Sequence, residues 1–234
     1  MLDFIEGETL LVDKPLRWTS FDVVKKIKHL LKKNLGVRKI KVGHAGTLDP
    51  LATGLLVICT GKKTKSIPEI QEMGKVYTGT MVIGAQTASY DLESPVEKQQ
   101  AVDHISEDDL HKAKDALTGT YLQYPPIFSA KKIDGKRAYK LARKGQEPIM
   151  RPKEVQVHQF DITDISLPEI DFEIACAKGT YIRSMAHDLG QNIGVGAYLK
   201  ELRRTEIGNY KVSAAHSIEE IEQLILKTTQ QLDC

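Results

Sequence analysis

Twelve residues, Gly43-His44-Ala45-Gly46-Thr47-Leu48-Asp49-Pro50-Leu51-Ala52-Thr53-Gly54, constrain this 234-residue chain more than any other stretch. Gly43 and Gly46 allow a tight turn and a close approach of backbone to a ligand. Pro50 disfavours the helical conformation for Asp49, which places the acid on a loop. His44 lies five residues before it. The continuous apolar run Leu55-Leu56-Val57-Ile58-Cys59 then predicts a buried strand. One carboxylate on a stiff loop in front of a core strand is a mounting suited to catalysis. The same Gly/Pro setting also suits an Asp that merely closes a turn.

The rest of the chain narrows what such a loop could serve. The composition, 41% hydrophobic and 27% charged, is that of an ordinary soluble protein, and 234 residues suffice for one large domain or two small ones. No run reaches the roughly 18 apolar residues of a membrane span. Residues 1–9 carry three acids and no base, unlike a signal peptide. Cys59, Cys176 and Cys234 are odd in number and far apart, which points away from a disulfide framework or a zinc knuckle and toward a reducing cytoplasm. The net charge of +2 conceals segregation: residues 14–41 sum to +9 and residues 131–153 to +7, leaving the remainder acidic. Two basic blocks on a near-neutral chain read as a polyanion-binding face.

Periodicity predicts a strand from Thr9 to Val12. A helix capped by Ser20 then runs to Lys33, with Val23, Val24, Ile27, Leu30 and Leu31 inward and lysines outward. A strand over Lys75–Ile83 follows, then an acidic surface loop from Asp91 to Asp109. Ser106 and Asp109 form a capping box for a helix that ends at Gly119. Residues 123–154 are basic, aromatic and irregular, with a short helix near Arg137–Lys144. Such a connection is usually functional or mobile. Strands over Val155–Ile162 and Ile170–Ala177, a helix from Gly179 to Leu189 stopped by Gly190, a short helix carrying Leu202 and a last helix over Ile218–Gln231 complete the reading. The class is α+β, with helices around a largely antiparallel sheet.

Six strings in order give the chain a relation. The Gly43–Gly54 string resembles the catalytic motif of the TruB family, the tRNA pseudouridine-55 synthases. Leu11-Val12-Asp13-Lys14-Pro15 with Thr19-Ser20 resembles its N-terminal motif, and Lys75-Val76-Tyr77 the strand of its active-site tyrosine. Tyr124-Pro125-Pro126 through Phe128-Ser129-Ala130 to Gly135-Lys136-Arg137-Ala138-Tyr139 is similar to its RNA-gripping insertion. Lys178-Gly179-Thr180-Tyr181-Ile182-Arg183 and Leu202-Arg203-Arg204 close the series.

The resemblance implies a pseudouridine synthase fold, with a central antiparallel sheet whose cleft holds the site, spanning residues 1–234 as one catalytic domain. It implies Asp49 as catalytic carboxylate and Tyr77 as the residue stacking on the target base. It implies Arg183 as the partner of the aspartate. An arginine in the first turn of a helix is locally unfavourable, which independently suggests an anion across space. His44 would fill the gap left by a flipped base. Lys14 would support the aspartate loop, while Tyr181 and Leu202 would line the pocket. Lys132, Lys136 and Arg137 would grip RNA. Many family members carry a PUA domain after the catalytic region. Only thirty residues follow Arg204 here, so that domain is expected to be absent or much reduced.

Uridine-to-pseudouridine isomerisation adds and removes no atoms. It calls for no cofactor or metal, and the sequence offers no ligand cluster, P-loop or Gly-x-Gly-x-x-Gly string. The expectation is a monomeric cytoplasmic tRNA-modifying enzyme that grips the T-arm. The carboxylate could attack C1′, attack C6 or open a glycal route. The alternatives are a same-fold RNA-binding or RNA-chaperone protein and a synthase acting on another RNA stem-loop.

Overall fold

The computed structural model describes residues 2–129, 132, 133, 135–138, 141, 146 and 149–230. The short helix expected near 137–144 lies largely outside them. Nine strands belong to the main sheet: β1 (Thr9–Lys14), β2 (Val42–His44), β3 (Ala52–Thr60), β4 (Lys75–Ile83), β5 (Gly119–Gln123), β6 (Lys153–Ser166), β7 (Glu169–Cys176), β8 (Ala197–Ile207) and β9 (Tyr210–Lys211). The helices are α1 (Ser20–Asn34), α2 (Ile67–Glu72), α3 (Glu107–Asp115), α4 (Ile182–Asn192) and α5 (Ile218–Gln230). The chain forms two compact units, Met1–Tyr77 with Arg203–Cys234, and Thr78–Leu202.

The first unit orders its strands β1–β3–β8–β4, with β2 also on β3 and β9 on β8. The β1–β3 pairing is antiparallel and sets Leu11 opposite Val57 and Lys14 opposite Gly54. Successive side chains of β3 point to opposite faces, and both faces are covered. Leu56 and Ile58 pack with Val12, Val23, Ile27, Leu31, Ile221 and Ile225. Leu55, Val57 and Cys59 pack with Ala45, Ile70 and Ile207 on the other side. That double burial explains the unbroken apolar run. Arg203 grips Asp13 through two bonds, Nη1 at 3.0 Å and Nη2 at 2.6 Å.

The second unit orders its strands β8–β4–β7–β6–β5. β7 buries Ile170, Phe172, Ile174 and Cys176 in alternation, and Phe172 meets Phe160 of β6 edge-on at 6.3 Å. Met185, Ala186 and Leu189 of α4 and Leu110 and Ala113 of α3 are buried as well.

Four expectations need correcting. α1 is capped by Thr19, whose hydroxyl accepts from the Asp22 amide while the Asp22 carboxylate accepts from Thr19. The Ser20 hydroxyl is occupied elsewhere, on Leu48. Gly190 does not stop α4 but lies within it. A Cβ there would sit 2.0 Å from the Ala197 nitrogen, so glycine is needed for packing, not termination. Leu202 lies on β8, not on a short helix. Asp91 is buried, not part of a surface loop. The capping box of Ser106 and Asp109 is present as read, although α3 ends at Asp115. Cys59 and Cys176 are buried core residues, as expected. No helix among the described residues is long and apolar enough to cross a membrane.

Candidate functional site

Asp49 sits half-buried on the loop between β2 and β3, and that loop is held from three directions. From α1, the Leu48 amide donates to the Ser20 hydroxyl at 2.8 Å, and the hydroxyl donates back to the Leu48 carbonyl at 3.2 Å. From the β1–α1 turn, the Arg17 amide donates to the Pro50 carbonyl at 2.7 Å. From β8, Arg204, only 1% exposed, reaches under the loop. Its Nε donates to the Leu55 carbonyl at 2.8 Å and its Nη2 to the Gly46 carbonyl at 3.1 Å. Gly46 and Gly54 adopt φ of +96° and +97°, the left-handed region that favours glycine. At Gly54 a Cβ would lie 2.3 Å from the Arg204 carbonyl, so the close approach there is to the protein's own strand.

Lys14 ends β1 beneath this loop, fully buried. Its ammonium donates to the Trp18 carbonyl at 2.6 Å and the Pro15 carbonyl at 3.0 Å. Burial pulls its pKa down to about 8, against the pull of the Asp49 carboxylate, which favours the charged form. His44 ends β2, opposite Ile58. Burial holds its imidazole below the usual pKa, and the Arg204 charge acts the same way, so His44 is neutral near pH 7. Lys14, His44, Asp49 and Arg204 are thus gathered within the first unit.

A second set gathers around Arg183 in the other unit. Arg183 stands in the first turn of α4, where the sequence placed it, and is 4% exposed. Its Nη1 donates to the Ser89 carbonyl at 3.2 Å and lies 3.5 Å from the Asp91 carboxylate. Its Nη2 donates to the Phe128 carbonyl at 3.1 Å. Tyr181 is the N-cap residue of α4 and is half-buried. Tyr77 on β4 and Leu202 on β8 are half-buried, and each is the last residue of its unit before the strand crosses. In the insertion, Lys132–Ile133 and Lys136–Arg137 pair as a small antiparallel ladder.

Three residues of these sets carried no role in the sequence reading. Asp91 was hidden in an acidic loop. Its one local mark is a turn in which its carboxylate accepts from the Glu93 amide at 3.0 Å, common to many Asp residues. Arg204 was quoted in a string without a role, and no pattern around it signals burial. Gln123 was only the start of a segment, yet its side chain bonds Tyr181.

Residues 32–182 match the model of the TruB family pseudouridylate synthase N-terminal domain, and residues 183–233 that of the tRNA pseudouridylate synthase B C-terminal domain. The tRNA pseudouridine synthase B of Flavobacterium johnsoniae is 50% identical over 94% of this chain and 97% of its own. That of Parabacteroides distasonis is 44% identical over 99% of both. Among solved structures, a Cbf5-Nop10-Gar1 complex contains a chain 27% identical, with a TM-score of 0.71 over 94% of this chain. An H/ACA RNP bound to a substrate RNA containing 2'-deoxyuridine contains one 25% identical, with a TM-score of 0.67. The present chain spans only about half of those two solved chains, 54% and 53%. The family models cover residues 32–233 and the two curated relatives match 94% and 99% of the chain, so the chain belongs to the TruB family of pseudouridylate synthases and is an RNA pseudouridine synthase, an isomerase.

Proposed function

We propose that the chain converts uridine 55 in the T-loop of tRNA to pseudouridine, with Asp49 as the catalytic carboxylate. The observation that carries this reading is the loop itself, clamped by Ser20, Arg17 and Arg204 so that one acid is presented with little freedom. Relatives matching almost the whole chain are named tRNA pseudouridine synthase B, which supports tRNA as the substrate.

In the reaction the N1–C1′ bond breaks, the base turns, C5 bonds to C1′, the C5 proton leaves and N1 gains one. A carboxylate serves whether it attacks C1′ or C6 or takes the C2′ proton on a glycal route. Arg183 supplies the cation that favours the ionised acid. Tyr77 stacks on the extruded base, Tyr181 and Leu202 line its pocket, and neutral His44 occupies the vacated stack. Extrusion costs a few kcal/mol, which such a wedge offsets. Lys14 braces the loop, and Lys132, Lys136 and Arg137 hold phosphates of the T-arm. The enzyme works as a cytoplasmic monomer.

The product has the mass of the substrate, so the assay follows tritium released from C5 of labelled uridine. Asp49→Asn should abolish release from a T-arm stem-loop while leaving its affinity within a few fold. A transcript with cytidine at position 55 should release none. Substantial turnover by Asp49→Asn would overturn the role of the acid, and release from the cytidine transcript would overturn the position.

A further inference from the structure

Gln123 closes β5 and is 1% exposed. Its amide reaches Tyr181, 58 residues away in sequence, and meets both main-chain polar groups there. The Tyr181 amide donates to Oε1 at 2.8 Å, and Nε2 donates to the Tyr181 carbonyl at 3.1 Å. Nε2 also donates to the Tyr121 hydroxyl at 2.8 Å. Only this orientation of the amide sets a donor against each acceptor and an acceptor against the donor.

The helix that receives this contact has a poor start of its own. Tyr181 is the N-cap of α4 and makes no side-chain capping bond. Helices prefer Ser, Thr, Asp or Asn at that position, because a short side-chain oxygen fixes the first turn. The Tyr181 carbonyl accepts the first bond of the helix, from the Met185 amide at 3.1 Å, and the Gln123 amide adds a second hold on the same main chain from outside the helix. Arg183 stands two residues further on, so any drift of the turn moves both side chains. The same segment adds two bonds nearby: the Ser184 hydroxyl donates to the Tyr124 carbonyl at 2.7 Å, and Arg183 to the Phe128 carbonyl at 3.1 Å.

We propose that Gln123 is a positioning residue for the isomerisation, fixing the Tyr181 ring and the Arg183 guanidinium by clasping the main chain of Tyr181. This rests on the reading of Tyr181 and Arg183 as site residues. Gln123 need not touch RNA to act. A displacement of about 1 Å at a reacting group can slow an enzyme by about 100-fold.

The test compares Gln123→Met and Gln123→Glu with the unaltered enzyme, in single turnover on a T-arm stem-loop, with affinity measured separately. Gln123→Met keeps the volume and loses the clasp. It should slow the chemical step by at least about tenfold and leave affinity within a few fold. Gln123→Glu carries one O–H donor and one C=O acceptor when protonated, matching the carbonyl and amide of Tyr181; ionised, it opposes a carbonyl with an anion. Its rate relative to the unaltered enzyme should therefore climb as pH falls, while that of Gln123→Met stays level. The titrating neighbours are Asp188, whose pKa burial raises to about 6, and Tyr121, raised by burial and by Asp188. Asp188 is common to all three proteins and cancels in the ratio; Tyr121 loses or changes its bond to residue 123 in both variants, but burial and Asp188 hold its phenol well above the ordinary tyrosine range, so it stays protonated throughout the series. A Gln123→Met enzyme at unaltered speed, a loss confined to affinity, or a flat Gln123→Glu ratio would each overturn the proposal. If Gln123→Met does not fold, the Gln123→Glu series decides alone. Asp49→Asn run in parallel separates the two readings: turnover there sinks the site assignment, whereas an inactive Asp49→Asn beside fast Gln123 variants sinks only the role of Gln123.

Discussion

Lys14 has none of its side chain in water, although nothing in Leu11-Val12-Asp13-Lys14-Pro15 distinguishes it from a surface lysine. Its string indicated support for the aspartate loop; its burial came from elements distant in sequence. A native pKa near 8 against an ordinary 10.5 fixes the sign of its effect on stability. Between those values the unfolded chain holds a proton that the native protein has shed, so stability rises with pH across that window. Urea unfolding at a series of pH values should show the unaltered protein gaining on Lys14→Met from pH 8 to 10.5, with a constant difference below 8. A constant difference throughout would mean that Lys14 does not titrate there. Asp49, His44 and Arg183 stand out as candidates because their strings are local. Asp91 and Arg204 do not, because their partners lie far off: Arg183 reaches Ser89 across 94 residues and Arg204 reaches Leu55 across 149. Local periodicity holds no information about such bonds.

At the level of elements, legibility followed burial pattern. β3, β4, β7 and α1 emerged within a few residues, since β3 is a continuous apolar run buried on both faces and the others space their apolar positions as a strand or helix with one buried face demands. β8 escaped because its charged residues look unlike a strand. Arg203 is paired with Asp13 and Lys200 with Glu169, which makes those charges tolerable in a sheet. Gly190 was misread because a glycine at a helix end and a glycine under a neighbouring chain look alike in sequence. The two uses differ in energy. Gly190→Ala forces a Cβ to within 2.2 Å of the Gly196 carbonyl carbon, an overpacking worth about 1–3 kcal/mol or more. Gly36→Ala meets nothing within 4 Å and costs only the left-handed strain at its φ of +63°, about 1–2 kcal/mol. Urea midpoints should fall further for Gly190→Ala, with the slope unchanged. Equal shifts would show that α4 and β8 separate easily.

For the whole molecule, composition announced a ligand rather than a fold. Lys25, Lys28, Lys32 and Lys33 of α1 are exposed as their spacing demanded, so the first basic block does face solvent. The second block should hold RNA phosphates. Replacing Lys132, Lys136 and Arg137 by Gln should flatten the dependence of log affinity on log salt by roughly one unit per lost contact. An unaltered slope in filter binding would mean that RNA passes this block by.

The chain leaves the first unit after Tyr77 and returns at Arg203. Synthesis proceeds from the N-terminus, so the loop of Asp49 emerges from the ribosome long before the residue that clasps it. Arg204 follows Gly46 by 158 positions. Nascent protein halted short of that arginine would contain Asp49, Tyr77, Arg183 and Leu202 alike, yet lack the tie between Gly46 and β8. Completion of the loop is therefore a late event in the life of each molecule, and premature termination even at residue 203 leaves a chain whose Asp49 loop keeps its ties to Ser20 and Arg17 but lacks the third, from beneath.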